Sequence, residues 1–530
     1  MSRLGLIWRT VRHLRFQQLY YQVVKQFRGR AKLRFPKRVP AGYFLQVPQA
    51  DKPVSYAGRR FTFLNQPIEF DEAIDWNCGL KGKLWTYNLT YFDFLNQPTI
   101  TIEEGLSLIR EFIAQTNSIN DGLEPYPTSL RIINWIQFLS RHEITDEPIN
   151  RHLAAQIDLV NRRLEYHLAG NHLLENGFAL LTGGLFFRDQ NWFYRATKLI
   201  RQELTVQILA DGAHHERSPM YHQIVLDRLL DAILALRGNN WYDDDTLVSF
   251  MSEKAVRMLC WLNSITFSNG DVPLVNDASQ NIAPTTAQIR KKALQLLPSY
   301  SVPTPGKGID SGYRMFRRQF YELFIDVGAV GPDHQPGHAH ADTFSFVLYV
   351  NGQPVIIDPG VTTYEIGVRR SWERSTAAHN TVSVMGENSS EVWSGFRVGR
   401  RAHVMLQDDT VDRLSACHDG YGFIGISHER SWYINSNRIS VFDRLVSDRK
   451  RHGASISGIA RLYFHPAIAV TKTNDSVRAG PVEVTFISEN VPTLSLTSYP
   501  MSEGFNQVRI GHCLEIAFEK YLNTTVTIDE

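Results

Sequence analysis

The feature that most constrains this chain is a change of hydrophobic period part way along it. From about residue 70 to residue 300 apolar side chains recur at intervals of three and four, as in Leu106, Ile109, Phe112 and Ile113, or Leu226, Leu229, Leu230, Ile233 and Leu234. That is the period of amphipathic helices. After about residue 310 the texture becomes alternating or β-branched, in runs such as 343–350, 355–357 and 381–384, separated by turn residues. Asn351 and Gly352 fall between the first two runs, and an Asn-Gly pair suits the positive φ angles that a two-residue hairpin turn requires. Paired helices followed by an antiparallel β-sandwich is the expected architecture. We read a basic N-terminal segment over 1–60, a helical domain over 61–305 and a β domain over 306–530. The Pro- and Gly-rich stretch 298–308 marks the boundary.

At 530 residues, 43% hydrophobic and 21% charged, the chain has enough apolar material for two large cores. Cys78, Cys260, Cys417 and Cys513 form no CxxC pair, so neither a disulfide framework nor a thiolate zinc site is expected, and four thiols in a reducing compartment are. No signal peptide or membrane-spanning run is read, which leads us to expect a cytoplasmic protein, peripheral at most to an inner membrane. The net charge of +2 hides an asymmetry: residues 1–50 hold eleven Lys and Arg and no Asp or Glu, leaving 45 basic against 54 acidic residues afterwards, a net charge of −9. An acidic body argues against nucleic acid as a partner and leaves attraction of a polyanion to local groups. The basic segment 1–40, with Leu4, Leu6, Ile7, Trp8, Val11, Leu14, Phe16 and Leu19 among its arginines, can lie on an anionic membrane. The plainer reading, which we favour, is a solvated first helix packed on the body; a transit peptide of similar composition is a minor alternative.

Three clusters carry candidate chemistry. In NHLLENGFALL, offsets of three and four place Asn171, His172 and Glu175 near one helical face. In DGAHHERSPMYHQ, Gly212 and Pro219 break the pattern ahead of a helix beginning near Tyr221, where helix-end amides and His222 or Arg217 would stabilise a phenolate; His214, His215 and Glu216 read as loop surface. In GHAHAD, His338 and His340 are two apart and point the same way if the segment is extended. With Asp358 and His379, these histidines make a plausible zinc set. A strict two-residue hairpin would pair Asp358 with Ser345 and leave His340 on the opposite parity, so shared ligation requires a bulge or a fold-back.

The strings LWTYNLTYFDFL at 84–95, SLRIINWIQFL at 129–139, NHLLENGFALL at 171–181, DGAHHERSPMYH at 211–222, GHAHADTFSF at 337–346 and AAHNTVSV at 377–384, in this order, resemble the heparinase II/III-like polysaccharide lyases. The resemblance implies an (α/α) toroid followed by an antiparallel β-sandwich, with the cleft at their junction. It also implies β-elimination at a uronic acid, in which Asn171 and His172 contact the substrate carboxylate, Tyr221 serves as base or acid, and His338 is its partner. Glu175 is a supporting candidate. His340, Asp358 and His379 are implied as ligands of a structural zinc, with no organic cofactor. Arg131, Asn134 and Trp135 are candidates for a sugar subsite. The expected substrate is a uronate-containing acidic polysaccharide or its oligosaccharides. Two rival readings stand beside this one: a zinc-dependent hydrolase using His338, His340, Asp358 and His379, and a non-catalytic glycan-binding factor in surface polysaccharide assembly.

Overall fold

The computed structural model describes residues 3–239, 241–242, 245–297, 310–447 and 456–529. Twelve helices are seen among them: α1 Arg3–Val11, α2 Phe16–Phe27, α3 Lys83–Tyr91, α4 Ile102–Gln115, α5 Pro125–Arg141, α6 Glu147–Arg162, α7 Gly170–Phe187, α8 Gln190–Gln207, α9 Pro219–Arg237, α10 Asp245–Ile265, α11 Thr286–Leu296 and the short α12 Val368–Glu373. Their starts follow local chemistry. Thr101 and Glu104 form a reciprocal capping box on α4, Asp146 and Asp189 cap α6 and α8, and Ser218 followed by Pro219 opens α9, each satisfying amides that would otherwise lack an acceptor. From α3 to α11 the helices share one large core that includes Trp85, Phe112, Trp135, Phe178 and Leu229. Within it α7 packs against α5, α8 and α9 and is buried along nearly its whole length.

The helical run ends at Leu296 and the first strand of the β half begins at Tyr313. The Pro- and Gly-rich boundary stretch lies outside the described residues. A small sheet that the hydrophobic pattern did not reveal, β1 Tyr56–Ala57, β2 Arg60–Phe63 and β3 Gln66–Glu69, buries Phe61 and Phe63 in the helical core.

The β half consists of two eight-stranded antiparallel sheets enclosing a second core. One contains β4 Tyr313–Arg317, β5 Tyr321–Asp326, β6 Phe346–Val350 and β7 Gln353–Ile356, followed by strands 457–464, 507–519 and 493–504, with β8 Val382–Val384 pairing to 457–464. The other runs 404–409, 413–418, 426–434, 438–447, 521–528, 482–488, 476–479 and 470–472. Asn351 and Gly352 adopt φ of 49° and 74°, the turn their identities call for. The hairpin is not strict, however: its register shifts between Leu348 and Tyr349, so that Leu348 pairs with Ile356. Strand β6 also begins at Phe346 rather than at Thr343, which leaves the GHAHAD segment as a loop.

A third apolar cluster joins the halves, with Trp261, Ile265 and Phe267 from the helical side against Tyr313, Phe324, Val347 and Tyr349. The rings of Phe267 and Tyr349 stack at 3.8 Å.

Helices α1 and α2 lie against the body as largely solvated helices. They rest on the body through polar groups: Arg9 makes a two-pronged pair with Glu391, Trp393 Nε1 donates to Thr10 Oγ1, and Gln18 Nε2 donates to the carbonyl of His334. No residue of α1 is buried, and Gln18 alone is buried in α2. Among the described residues no helix is long and apolar enough to cross a membrane.

Candidate functional site

The site lies where α7, the start of α9, the loop preceding α11 and the 334–345 loop converge. Its centre is Asp277, a fully buried carboxylate. Asp277 Oδ2 is 2.8 Å from His338 Nδ1 and Oδ1 is 2.9 Å from His340 Nε2, while Arg370 on α12 reaches both oxygens at 2.5 and 2.7 Å. Arg370 and the two imidazoles hold the Asp277 carboxyl well below the usual carboxylate range despite its burial. With Asp277 ionised, each imidazole must present an N–H to it. In a neutral imidazole so oriented the lone pair lies on the other nitrogen, Nε2 for His338 and Nδ1 for His340, and burial drives His340 down to about 4.

Tyr221 stands against this dyad. Its ring lies 4.0 Å from that of His338, centroid to centroid, and its hydroxyl is 3.2 Å from the hydroxyl of Tyr364. The N-cap of α9 positions it: the Tyr221 amide donates to Ser218 Oγ, which itself donates to the carbonyl of Asp277. The expected phenolate is not supported. Burial, with Tyr364 and Asp277 nearby, pushes the phenol well above its ordinary value of 10. Neither expected cation faces it. His222 accepts the His214 amide at Nδ1 and donates to the Met258 carbonyl, so burial drives it down to about 4, and the Arg217 guanidinium turns to the carbonyls of Ala329 and Asp310.

Asn171 joins the constellation through Glu216. Its amide, in the first turn of α7, donates to Glu216 Oε1 at 2.9 Å, and Glu216 Oε2 lies 3.6 Å from His338 Nε2. A carboxyl at a helix N-terminus is a favourable placement. Gly170 makes it possible: its φ is +56°, and a Cβ there would stand 2.3 Å from Glu216 Oε1. Asn171 Oδ1 and Glu216 Oε2 are buried without hydrogen-bond partners, so both are available to a ligand. His172, more open than Asn171, stacks on Tyr126 at 4.1 Å, with Nδ1 3.5 Å from Glu165 Oε1.

Other sequence-predicted residues sit elsewhere. Arg131, Asn134 and Trp135 are fully buried in the helical core. Arg131 donates to Gln156 and to the carbonyls of Thr90 and Gly122, and Asn134 donates to the carbonyl of Tyr91. They tie α5 to its neighbours and do not form a sugar subsite, because α5 is buried on every face from Pro127 to Ser140. Glu175 is also buried, 3.5 Å from Arg228. His214, His215 and Glu216, read as loop surface, are buried and form the one His, Cys, Asp or Glu group among the described residues whose ligand atoms all lie within 4.8 Å.

His340, Asp358 and His379 are arranged more openly. His379 Nδ1 is 2.8 Å from Asp358 Oδ2, and the His340 and His379 rings are 5.3 Å apart. The hairpin bulge and the looped GHAHAD segment remove the parity obstacle. Asp277 and Asp358 each hold one nitrogen of a histidine, and the opposite nitrogens, His340 Nδ1 and His379 Nε2, are buried without partners, as is Asp342 Oδ2. This donor chemistry fits a divalent ion. The four-residue hydrolase grouping does not form, because His338 faces Tyr221 on the other side of Asp277.

Asp277, Glu216, Tyr364 and Arg370 were not foreseen. Only Glu216 lay within a string already singled out; nothing in PLVNDAS or DPGVTTYE marks the others.

Comparison with known proteins agrees with this architecture. Residues 128–302 match the profile "Heparinase II/III N-terminus" and residues 303–519 match "Heparinase II/III-like, C-terminal". The heparin-sulfate lyase of Bacteroides stercoris is 22% identical over 312 residues, 54% of this chain and 45% of that protein, and that of Pedobacter heparinus is 23% identical over 310 residues, 53% and 45%. The matched stretch thus spans less than half the length of those relatives. Among solved structures, a heparinase III superposes with a TM-score of 0.65 at 16% identity, covering 87% of this chain and 80% of that one. The heparan sulfate lyase HepC of Pedobacter heparinus superposes with a TM-score of 0.59 at 16% identity, covering 97% and 88%. With helical domain, β-sandwich and both sequence profiles in register along one chain, the protein belongs to the heparinase II/III-like family.

Proposed function

We propose that the chain is a polysaccharide lyase that cleaves a uronic-acid-containing glycan by β-elimination, and that its natural substrate is a bacterial surface polysaccharide or its oligosaccharides. The observation that carries this reading is the Asp277–His338 dyad facing a neutral Tyr221 phenol. A proton α to a carboxylate is barely acidic, so the site must neutralise the carboxylate, remove the carbon-5 proton and protonate the leaving oxygen. In this scheme the Asn171 side-chain amide and His172 receive the carboxylate. His338 Nε2 takes the proton, the C–H electrons become the carbon 4–carbon 5 double bond, and the carbon 4–oxygen bond breaks. Tyr221 then donates its proton to the departing oxygen. The imidazolium formed lies between the Asp277 and Glu216 carboxyls; once product leaves it gives its proton to solvent water and the Tyr221 phenolate takes one back, restoring both groups. Protons and electrons balance with no reactant beyond solvent.

The acidic body, together with the occupation of Arg370 by Asp277, favours a uronate chain with few sulfates over densely sulfated heparin. The test is ultraviolet absorbance of an unsaturated uronate across a panel of sulfated and unsulfated acidic glycans. Absorbance with an unsulfated uronan is expected; hydrolysis products without it would refute the scheme. A structural zinc is part of the same reading, held by His340 and His379 with Asp358 as the carboxylate partner. When bound it would brace the loop that carries His338, and it takes no part in proton transfer.

A further inference from the structure

We propose that α1 and α2 form a docking face for an anionic lipid bilayer, seated beside the junction of the two halves. In most amphipathic surface helices the apolar stripe packs on the body and the polar face meets water. Here the contacts to the body are largely polar, Arg9 on Glu391 and Gln18 on the His334 carbonyl, with Tyr21 against the Tyr166 ring, and a separate set of apolar residues points outward. Leu4 is 80% exposed, Trp8 66%, Phe16 83%, Tyr20 55%, Val23 56% and Phe27 84%. Positions 4 and 8, and 16, 20, 23 and 27, recur at helical spacing, so each helix presents a stripe rather than scattered side chains. Exposed apolar patches of this kind mark interaction sites.

Charge selects the occupant. The segment holds eleven Lys and Arg and no acidic residue over residues 1–50, while the rest of the chain is net negative. Apolar side chains set among lysines and arginines, with a tryptophan in the stripe, match the boundary between acyl chains and anionic headgroups. A polysaccharide offers no apolar phase, and self-association through this face is one outcome of the test below. The position also has a consequence. Gln18 grips the loop that leads to His338, and Gln22 donates to the His167 carbonyl of the helical half, so a bilayer bound by this face lies next to the junction of the two halves.

The experiment is co-sedimentation of the full chain with phosphatidylglycerol–phosphatidylcholine vesicles and with phosphatidylcholine vesicles alone. Binding to the anionic vesicles is expected, weakened at least about tenfold in about 0.5 M salt. A variant with Leu4→Ser, Trp8→Ser, Phe16→Ser and Phe27→Ser should lose that binding with an unchanged circular dichroism spectrum and melting temperature, since none of these side chains is buried. A second variant, Arg3→Glu, Arg12→Glu and Lys25→Glu, keeps the apolar stripes and should bind anionic vesicles at least about tenfold less tightly. The proposal is overturned if the wild type ignores anionic vesicles or if the serine variant binds them as well as the wild type does. It is equally overturned if the wild type self-associates without lipid and the serine variant abolishes that, which would assign the face to a protein interface. None of these readouts depends on lyase activity.

Discussion

Asp277 is where single-residue chemistry is most exposed to test. It carries one negative charge and serves three partners, so Asp277→Asn frees Arg370 as an uncompensated buried cation and removes the acceptor that fixes the His338 tautomer. A destabilisation of about 3–5 kcal/mol is expected by calorimetry, along with a fall in turnover beyond that of the residual folded fraction. Tyr221→Phe isolates the acid: the ring contact with His338 survives, and turnover should drop by about 10²–10⁴-fold with oligosaccharide binding retained. Gly170→Ala probes the close approach of Glu216. A left-handed alanine costs about 1–2 kcal/mol, and the displaced Glu216 should lower turnover further, which a Glu216→Gln comparison checks. At this scale the sequence was partly legible. Asn171, His172, Tyr221 and His338 stood out because unusual polar residues fell at informative spacings. Asp277 could not stand out, since its role depends on burial and on partners 61 to 93 residues away, and one aspartate among 54 acidic residues bears no local mark.

At the scale of elements, period and turn chemistry carried most of the information. The 3.6-residue texture located the helical run and the Asn351-Gly352 pair located a real hairpin turn. What they missed were departures from regularity: the register shift at Leu348, the late start of β6, and the small sheet at 56–69. These arise where tertiary demands, such as bringing His340 toward His379, override the local pattern. Arg131 and Trp135 failed as subsite candidates for a related reason, because residue type alone does not report that α5 is enclosed on every side from Pro127 to Ser140. In the outer sheet Arg430 pairs with Asp443 through two nitrogens and also donates to the carbonyls of Phe344 and Asn380. Arg430 and His428 lower the Asp443 carboxyl from its usual 3.8 to about 2. Because the folded value is depressed, this group's stabilisation is fully present above about pH 4 and lost as pH falls toward 2. Urea titrations across that range should show a steeper acid loss in wild type than in Asp443→Asn.

For the whole molecule, removal of metal is the informative perturbation. If His340, Asp358 and His379 hold a structural ion, chelation should lower the melting temperature and leave initial turnover of the still-folded fraction nearly unchanged; immediate loss of turnover at constant melting temperature would place the ion in the chemistry instead. The two-part architecture was legible in the sequence, whereas the mode of joining the parts was not. Asp277 belongs to the polypeptide between α10 and α11, while the histidines and the arginine it gathers come from beyond residue 310. A lone helical half would therefore present an aspartate with nothing to orient, and a lone β half an arginine with no counter-charge. Parting the halves would separate Asp277 from His338, His340 and Arg370, so on the lyase reading proposed above neither half should turn over substrate alone.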